Sequence, residues 1–183
     1  MNFYQKLLEI LSPNWEESIV VKRNEYLVTK EVINTNLFLV EEGSLRVFID
    51  DEEEEHTIRF GYKNSIITAL DCFLTENPTE FYIQTLKKCK LKRISKNRFM
   101  QVMQSSEENK KIWEQLLQSF VYQQIEREID LITYSPQKRF ERVLKRSPQV
   151  FQEIPLKYIA SYLRMTPETL SRILKTLDLN QEV

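Results

Sequence analysis

One segment of the chain carries side chains whose types and spacing suit a polyanion. It runs Ile154-Pro155-Leu156-Lys157-Tyr158-Ile159-Ala160-Ser161-Tyr162-Leu163-Arg164-Met165-Thr166-Pro167-Glu168-Thr169-Leu170-Ser171-Arg172-Ile173-Leu174-Lys175. The pattern is a short helix, a tight turn and a second helix. Ile159 and Leu163 fall one helical turn apart and face inward, and the small Ala160 lets the second helix approach closely. Thr166 suits the N-cap, Pro167 the first helical position and Glu168 the first turn. Leu170, Ile173, Leu174 and Leu177 form an inward stripe, which leaves Pro167, Glu168, Ser171, Arg172 and Lys175 outside. A second helix of this kind enters the DNA major groove with its N-terminal turns at base edges. Arg172 has the fork that donates twice to guanine O6 and N7, and Glu168 accepts from cytosine N4. Thr169, Ser171 and Lys175 are placed for phosphate oxygens, with the capping Thr166 beside them. An ordinary helical hairpin with a solvated charged face would share this pattern, so the charge distribution has to separate the two.

The 183 residues hold 26 Lys and Arg against 27 Asp and Glu, a net charge of −1. That average hides an asymmetry. Residues 1–135 carry 17 basic and 22 acidic side chains, whereas residues 136–183 carry 9 basic and 5 acidic. An acidic body with a basic C-terminal end favours an end that meets a nucleic acid.

Several chemistries lack their residues. Two glycines in the whole chain are too few for a P-loop or a dinucleotide-binding fingerprint. Cys72, Cys89 and the single His56 are too few and too scattered for a structural zinc site or an iron–sulfur cluster, so no metal and no cofactor is expected. His56 follows the acidic run Asp50 to Glu55 and reads as a solvated hairpin histidine. No G-x-S-x-G nucleophile and no catalytic pair of acids stands out, so no catalytic residue and no enzyme activity is expected. There is no run of eighteen apolar residues and no signal-peptide pattern at Met1-Asn2-Phe3-Tyr4-Gln5-Lys6, which predicts a soluble, cytoplasmic protein.

The elements that must position these residues follow from periodicity. Residues 3–11 read as a short amphipathic helix ended by Ser12-Pro13-Asn14. Between about 18 and 95 the pattern turns to short β-rich segments: Leu37 to Val40, a turn at Gly43, Ser44 to Ile49, His56 to Phe60 closed by Gly61, Phe81 to Leu86 and Cys89 to Ile94. These predict a small barrel or jelly roll. Residues 96–103 read as a short helix. Residues 107–132 form a long one, capped at Ser105-Ser106, with Ile112, Trp113, Leu116, Leu117, Phe120, Val121, Ile125, Ile129 and Ile132 at three- and four-residue steps. At 1.5 Å per residue it spans about 39 Å. That length outruns a small barrel, and Trp113, Leu116, Leu117, Phe120, Val121 and Ile125 are the expected dimer interface. Ser135-Pro136 breaks it. Gln137 to Ser147 follows, with Phe140, Val143 and Leu144 inward and Lys138, Arg139, Arg142, Lys145 and Arg146 outward.

At this point the chain resembles the Crp/Fnr superfamily of bacterial transcription regulators over nearly its whole length. Glu168-Thr169-Leu170-Ser171-Arg172-Ile173-Leu174 is similar to that family's recognition helix. Leu37 to Phe48, with Gly43 at the turn, is similar to the paired strands of its cyclic-nucleotide-binding β-roll, and residues 107–132 fall where it has a dimerisation helix. The resemblance implies an α+β fold: a cyclic-nucleotide-binding-like β-roll sensor over 1–105, a dimerisation helix over 106–134 and a helix-turn-helix DNA-binding domain over 135–183. It implies a homodimer that binds a near-palindromic double-stranded site, with an unknown small-molecule effector and RNA polymerase as further partners and no membrane. Carried over by position, Glu168 and Arg172 are the base-reading pair.

The departures from the family pattern are specific. Its cyclic-nucleotide cassette has a Gly-Glu pair and then an Arg just after a proline. Here the stretch is Ser65-Ile66-Ile67-Thr68-Ala69-Leu70-Asp71 through Asn77-Pro78-Thr79-Glu80-Phe81. Thr79 stands where the arginine should be, and Glu80 adds a like charge to any phosphate. No cyclic AMP binding in the usual mode is expected. Another small anion would have to use Arg59 and Lys63, with Thr68, Thr79 and Glu80 nearby. Pro167 replaces a position often filled by a DNA-contacting arginine. Arg164 sits where the turn commonly has glycine, which strains it if the turn needs positive φ. Val183 follows so soon that any wing is expected to be absent or minimal. Two other functions compete with the DNA-binding regulator: a binding module for a cyclic nucleotide or other anion, and an interaction protein that has lost DNA binding.

Overall fold

The computed structural model describes residues 2–181, with side chains described to Thr176. Helix α1 (Phe3–Leu11) opens the chain, with the Asn2 side chain accepting from the Tyr4 amide at 3.1 Å. Eight strands follow: β1 (Glu17–Val21), β2 (Tyr26–Val28), β3 (Leu37–Glu42), β4 (Ser44–Asp50), β5 (Glu55–Tyr62), β6 (Ile66–Ile67), β7 (Tyr82–Thr85) and β8 (Cys89–Ile94), with helix α2 (Leu70–Thr75) between β6 and β7. They form two four-stranded antiparallel sheets, in the orders β1-β8-β3-β6 and β2-β7-β4-β5. This is the expected β-roll. Val40, Leu45, Val47, Ile83 and Leu91 from both sheets meet in its interior.

Gly43, between β3 and β4, has φ of 91°, and a Cβ there would run into the Lys88 carbonyl. Gly61 does not close β5 as the sequence suggests. It lies inside the strand, opposite Leu45, where a Cβ would come within 2.6 Å of Ile67.

Helix α3 (Lys96–Gln104) leads into α4 (Glu107–Ile132), whose first turn is capped by Ser106 Oγ accepting from the Asn109 amide at 3.1 Å. A cap of this type contributes about 1 kcal/mol. The expected dimer set divides between two faces of α4. Trp113, Leu116 and Phe120 pack inward with Leu7, Leu11, Phe73 and Phe99, and Trp113 meets Phe99 edge-on at 5.5 Å. Leu116 is buried in the core of its own subunit, and Trp113 and Phe120 are half-buried against that core. Leu117 is half-buried, while Val121 and Ile125 on the opposite face are 62% and 49% exposed.

Beyond α4 come α5 (Pro136–Arg146), α6 (Val150–Glu153), α7 (Leu156–Tyr162) and α8 (Pro167–Gln181). Phe140, Val143, Val150, Ile154, Ile159, Ala160, Leu163 and Leu170 form their core, and Phe60 and Leu86 of the roll join it. Among the described residues no helix is long and apolar enough to cross a membrane.

Candidate nucleic-acid interface

Helices α7 and α8 make the helix-turn-helix. Ile159 and Leu163 are buried as their spacing requires, and Leu170 closes the joint between the helices. Ile173 and Leu174 are half-buried, and the side chain of Leu177 lies outside the described residues. Arg164 in the turn takes φ of 52°, the left-handed conformation that a glycine adopts without strain. The Thr166 hydroxyl accepts from the Thr169 amide at 3.2 Å, the bond of an N-cap.

That cap sets the exposed face. Thr166, Pro167, Glu168, Ser171, Arg172 and Lys175 all reach solvent, while Thr169 is half-buried. The Arg172 guanidinium rests 3.3 Å from the Thr169 hydroxyl, a weak contact that leaves most of its donors free. Its own backbone N–H and the Thr166 hydroxyl hold the Glu168 carboxyl below the usual range, with a smaller pull from Arg172, so it is an acceptor at neutral pH. The structure thus brings together the six residues picked from the sequence on one helix end. Glu168 and Arg172, four apart, lie on one side of it.

The basic flank of α5 is a different matter. The sequence suggested Lys138, Arg139, Arg142, Lys145 and Arg146 as an outward cationic row. Only Lys138 and Lys145 are fully exposed. Arg139 donates to the carbonyls of Leu163, Arg164 and Thr133, bracing the turn. Arg142 and Arg146 bridge back to α4, where Asp130 is completely buried and accepts from Arg142 at 2.8 Å, with Glu126 beside it. A buried carboxylate such as Asp130 left without its guanidinium partners would be an uncompensated buried charge. Three of the five cations therefore hold the C-terminal unit together.

Helix α7 also docks on the roll. Strand β5 is the edge of its sheet, and its outward backbone groups need cover. Ser161 supplies it, accepting from the Thr57 amide at 3.1 Å and donating to the Glu55 carbonyl at 3.0 Å. Tyr162 packs on Phe60 at 5.3 Å. Arg46, 3% exposed, pairs with Glu55 at 2.5 Å and lies 4.4 Å from the ring of Tyr158. His56, expected as a solvated hairpin residue, instead stands between Asp51 at 2.7 Å and the Arg164 guanidinium. The sequence reading missed Arg46, Arg127, Asp130 and Ser161. Arg127 and Asp130 were open to detection, because they continue the inward register of Ile112, Leu116 and Phe120 with charges.

The five residues considered for a small anion do not share one pocket. Arg59 and Lys63 line a space between β5 and α4. Thr79 is fully buried elsewhere and donates to Asp71 at 2.8 Å. Asp71 also accepts the Glu80 amide at 2.9 Å, and the Glu80 carboxylate faces Lys30 at 3.5 Å in solvent. The Thr68 hydroxyl is buried without a partner among the described residues.

The family model for the cyclic nucleotide-binding domain matches residues 18–106. Solved structures extend the likeness to the C-terminal helices. A mutant of CooA from Carboxydothermus hydrogenoformans superposes with a TM-score of 0.71 at 18% identity, covering 94% of this chain and 84% of that one. FixK2 from Bradyrhizobium japonicum gives 0.72 at 13% identity, covering 90% and 85%. A CRP/FNR-family transcriptional regulator of Thermus thermophilus gives 0.65 at 15%, covering 90% and 87%. The chain shares the overall fold of these solved structures. No curated protein matches it in sequence. The β-roll lies within the residues that the cyclic nucleotide-binding domain model matches, and its Thr79–Asp71 bond occupies the stretch where the sequence departs from the nucleotide cassette.

Proposed function

We propose that the protein is a dimeric, sequence-specific DNA-binding transcription regulator with a divergent sensor roll. The observation that carries this reading is the Thr166-capped end of α8, which presents Glu168 and Arg172 outward beside phosphate-suited Ser171 and Lys175. The domains are the sensor roll over 1–105, the dimer helix over 106–134 and the DNA reader over 135–183. The exposed stripe of α4 supports pairing: Val121, Ile125 and Ile132 are 62%, 49% and 74% exposed on the face opposite the core. Pairing through it would set two readers about 34 Å apart, one turn of DNA, and favour a near-palindromic site. Glu168 and Arg172 read base edges; Thr166, Thr169, Ser171 and Lys175 fix the register on phosphates. RNA polymerase is a further partner of such a regulator. The roll takes no cyclic AMP in the usual mode, because Thr79 holds Asp71 and offers a cyclic phosphate no guanidinium.

The test is selection of bound fragments from a random duplex pool, then fluorescence anisotropy across a salt series. A selected inverted repeat whose affinity falls steeply with salt supports the reading. No binding to any duplex at low salt favours an interaction protein instead.

A further inference from the structure

The joint between the roll and the helix-turn-helix contains the chain's only histidine, His56. Imidazole is the side chain that ordinarily changes charge between about pH 5 and 8. The His56 side chain is 16% exposed and stands on β5 at the base of the β4–β5 hairpin. Its Nε2 lies 2.7 Å from the Asp51 carboxylate, and its Nδ1 meets the Arg164 guanidinium. The Glu54 backbone N–H, followed by His56 itself, holds the Asp51 carboxyl below its usual range, so it stays ionised in mild acid. An ionised carboxylate only accepts and a guanidinium only donates. The two contacts therefore fix the tautomer: the neutral ring donates from Nε2 and accepts at Nδ1. On the same hairpin the Glu55 carboxylate turns to Arg46 at 2.5 Å, and Asp50 lies opposite Glu55. The residue opposite His56 on β4 is the apolar Ile49. Arg164, from the α7–α8 turn, has no carboxylate partner among the described residues. Two more cations stand near it. Arg139 of α5 donates to its carbonyl at 3.0 Å, and Arg127 of α4, held below its ordinary pKa first by burial, also feels its charge.

We propose that His56 is a proton-operated latch: neutral, it holds the helix-turn-helix on the edge of the roll, and protonated, it releases it. A proton on Nδ1 turns the acceptor into a charged donor aimed at a charged donor. The surrounding cations add to that repulsion, and the Arg164 backbone is held in place by Arg139. The direction of the effect follows from which contacts closing makes. Asp51 and His56 share one hairpin, so their attraction is the same with the joint open or closed. Only the Arg164 contact is made on closing, and it requires an unprotonated Nδ1. The closed joint is therefore complete in neutral and mildly alkaline solution and weakens as pH falls. The release is transmitted locally, because Ser161 grips the two backbone groups that flank His56, the Glu55 carbonyl and the Thr57 N–H. Any consequence for DNA binding rests on the proposed DNA-reading function; the latch itself does not, and is tested without DNA.

The experiment is amide hydrogen exchange on the full chain at about pH 7.5 and about pH 5.5, either side of the ordinary imidazole titration. Protection at the Thr57 amide is read as a ratio to that of interior β8 amides, which removes the intrinsic pH dependence of exchange. The ratio should fall about fivefold or more from the higher pH to the lower. In His56→Gln the amide side chain donates to Asp51 and accepts from Arg164 without titrating, so the ratio should stay constant. In Arg164→Met the repulsion is gone, and the ratio should again be constant. The proposal is overturned if the parent ratio is unchanged or rises in acid, or if either variant falls as the parent does. The parent and His56→Gln decide the matter should Arg164→Met not fold.

Discussion

The Ser161 hydroxyl accepts the backbone N–H of Thr57 at 3.1 Å, and this bond joins the helix-turn-helix to the free edge of the roll. Thr57 is itself buried, so its amide has little access to water. The same hydroxyl donates to the Glu55 carbonyl, which makes one side chain serve two ladder groups of an edge strand. The position of helices α7 and α8 is therefore tied to the geometry of β5, the strand that also supplies Arg59.

Replacing Ser161 with Ala removes that acceptor and should cost about 1–2 kcal/mol at the joint. Hydrogen exchange is the direct readout. Protection at the Thr57 amide should drop about tenfold or more, while amides of β8 in the roll interior stay as they were. Equal protection in parent and variant would show that the contact holds nothing in place.

Asp130 is the hub of the α4–α5 joint. Asp130→Asn leaves Arg142 and Arg146 facing a neutral amide and should destabilise the protein by about 3 kcal/mol, as breaking a buried pair does. Chemical denaturation followed by circular dichroism gives the figure. Arg142→Ala should cost less, because Arg142 is a third exposed and Arg146 still holds the carboxylate.

How far these joints were legible depends on their physics. Helices α1 and α4 and strand β8 match the sequence periodicity residue for residue, because each buries one regular stripe. The strands β1, β2 and β6 and the helices α2 and α6 were not placed, since they are short and half-exposed and their patterns are no stronger than those of loops. The exposed residues of α8 were readable from the Thr166-Pro167-Glu168 start signal. The fates of Arg139, Arg142 and Arg146 were not, because an arginine that pairs across helices and one that meets solvent look alike in a single sequence. Periodicity also could not say which half of α4's wide apolar stripe faced its own core.

Cys89 gives a pH prediction. Burial raises its thiol pKa from the ordinary value of 9.0 to about 11. A folded pKa above the unfolded one means the contribution is complete below about pH 9 and is lost as pH rises through about 11, because the unfolded chain releases its proton first. Stability should therefore fall over that interval, and Cys89→Ala should flatten the fall. Both cysteines are fully buried, so a thiol reagent at pH 8 should label neither until denaturant is added.

Arg172 and Lys175 should differ in kind. Arg172→Ala should cost about 1–3 kcal/mol on the selected site and relax preference at one base pair per half-site. Lys175→Ala should weaken all duplexes alike and reduce the salt slope by about one. Anisotropy on selected and scrambled duplexes separates the two. If both variants lose affinity equally on both duplexes, the base and phosphate roles are misassigned.

The central claim is that two copies, paired through the exposed face of α4, place two readers on one duplex. Native mass spectrometry of the protein with its selected duplex measures this most directly. The account predicts two chains per duplex, and loss of that species in a Val121→Glu, Ile125→Glu variant that stays folded. Single chains at every concentration, or a double variant that still binds two to a duplex, would contradict it.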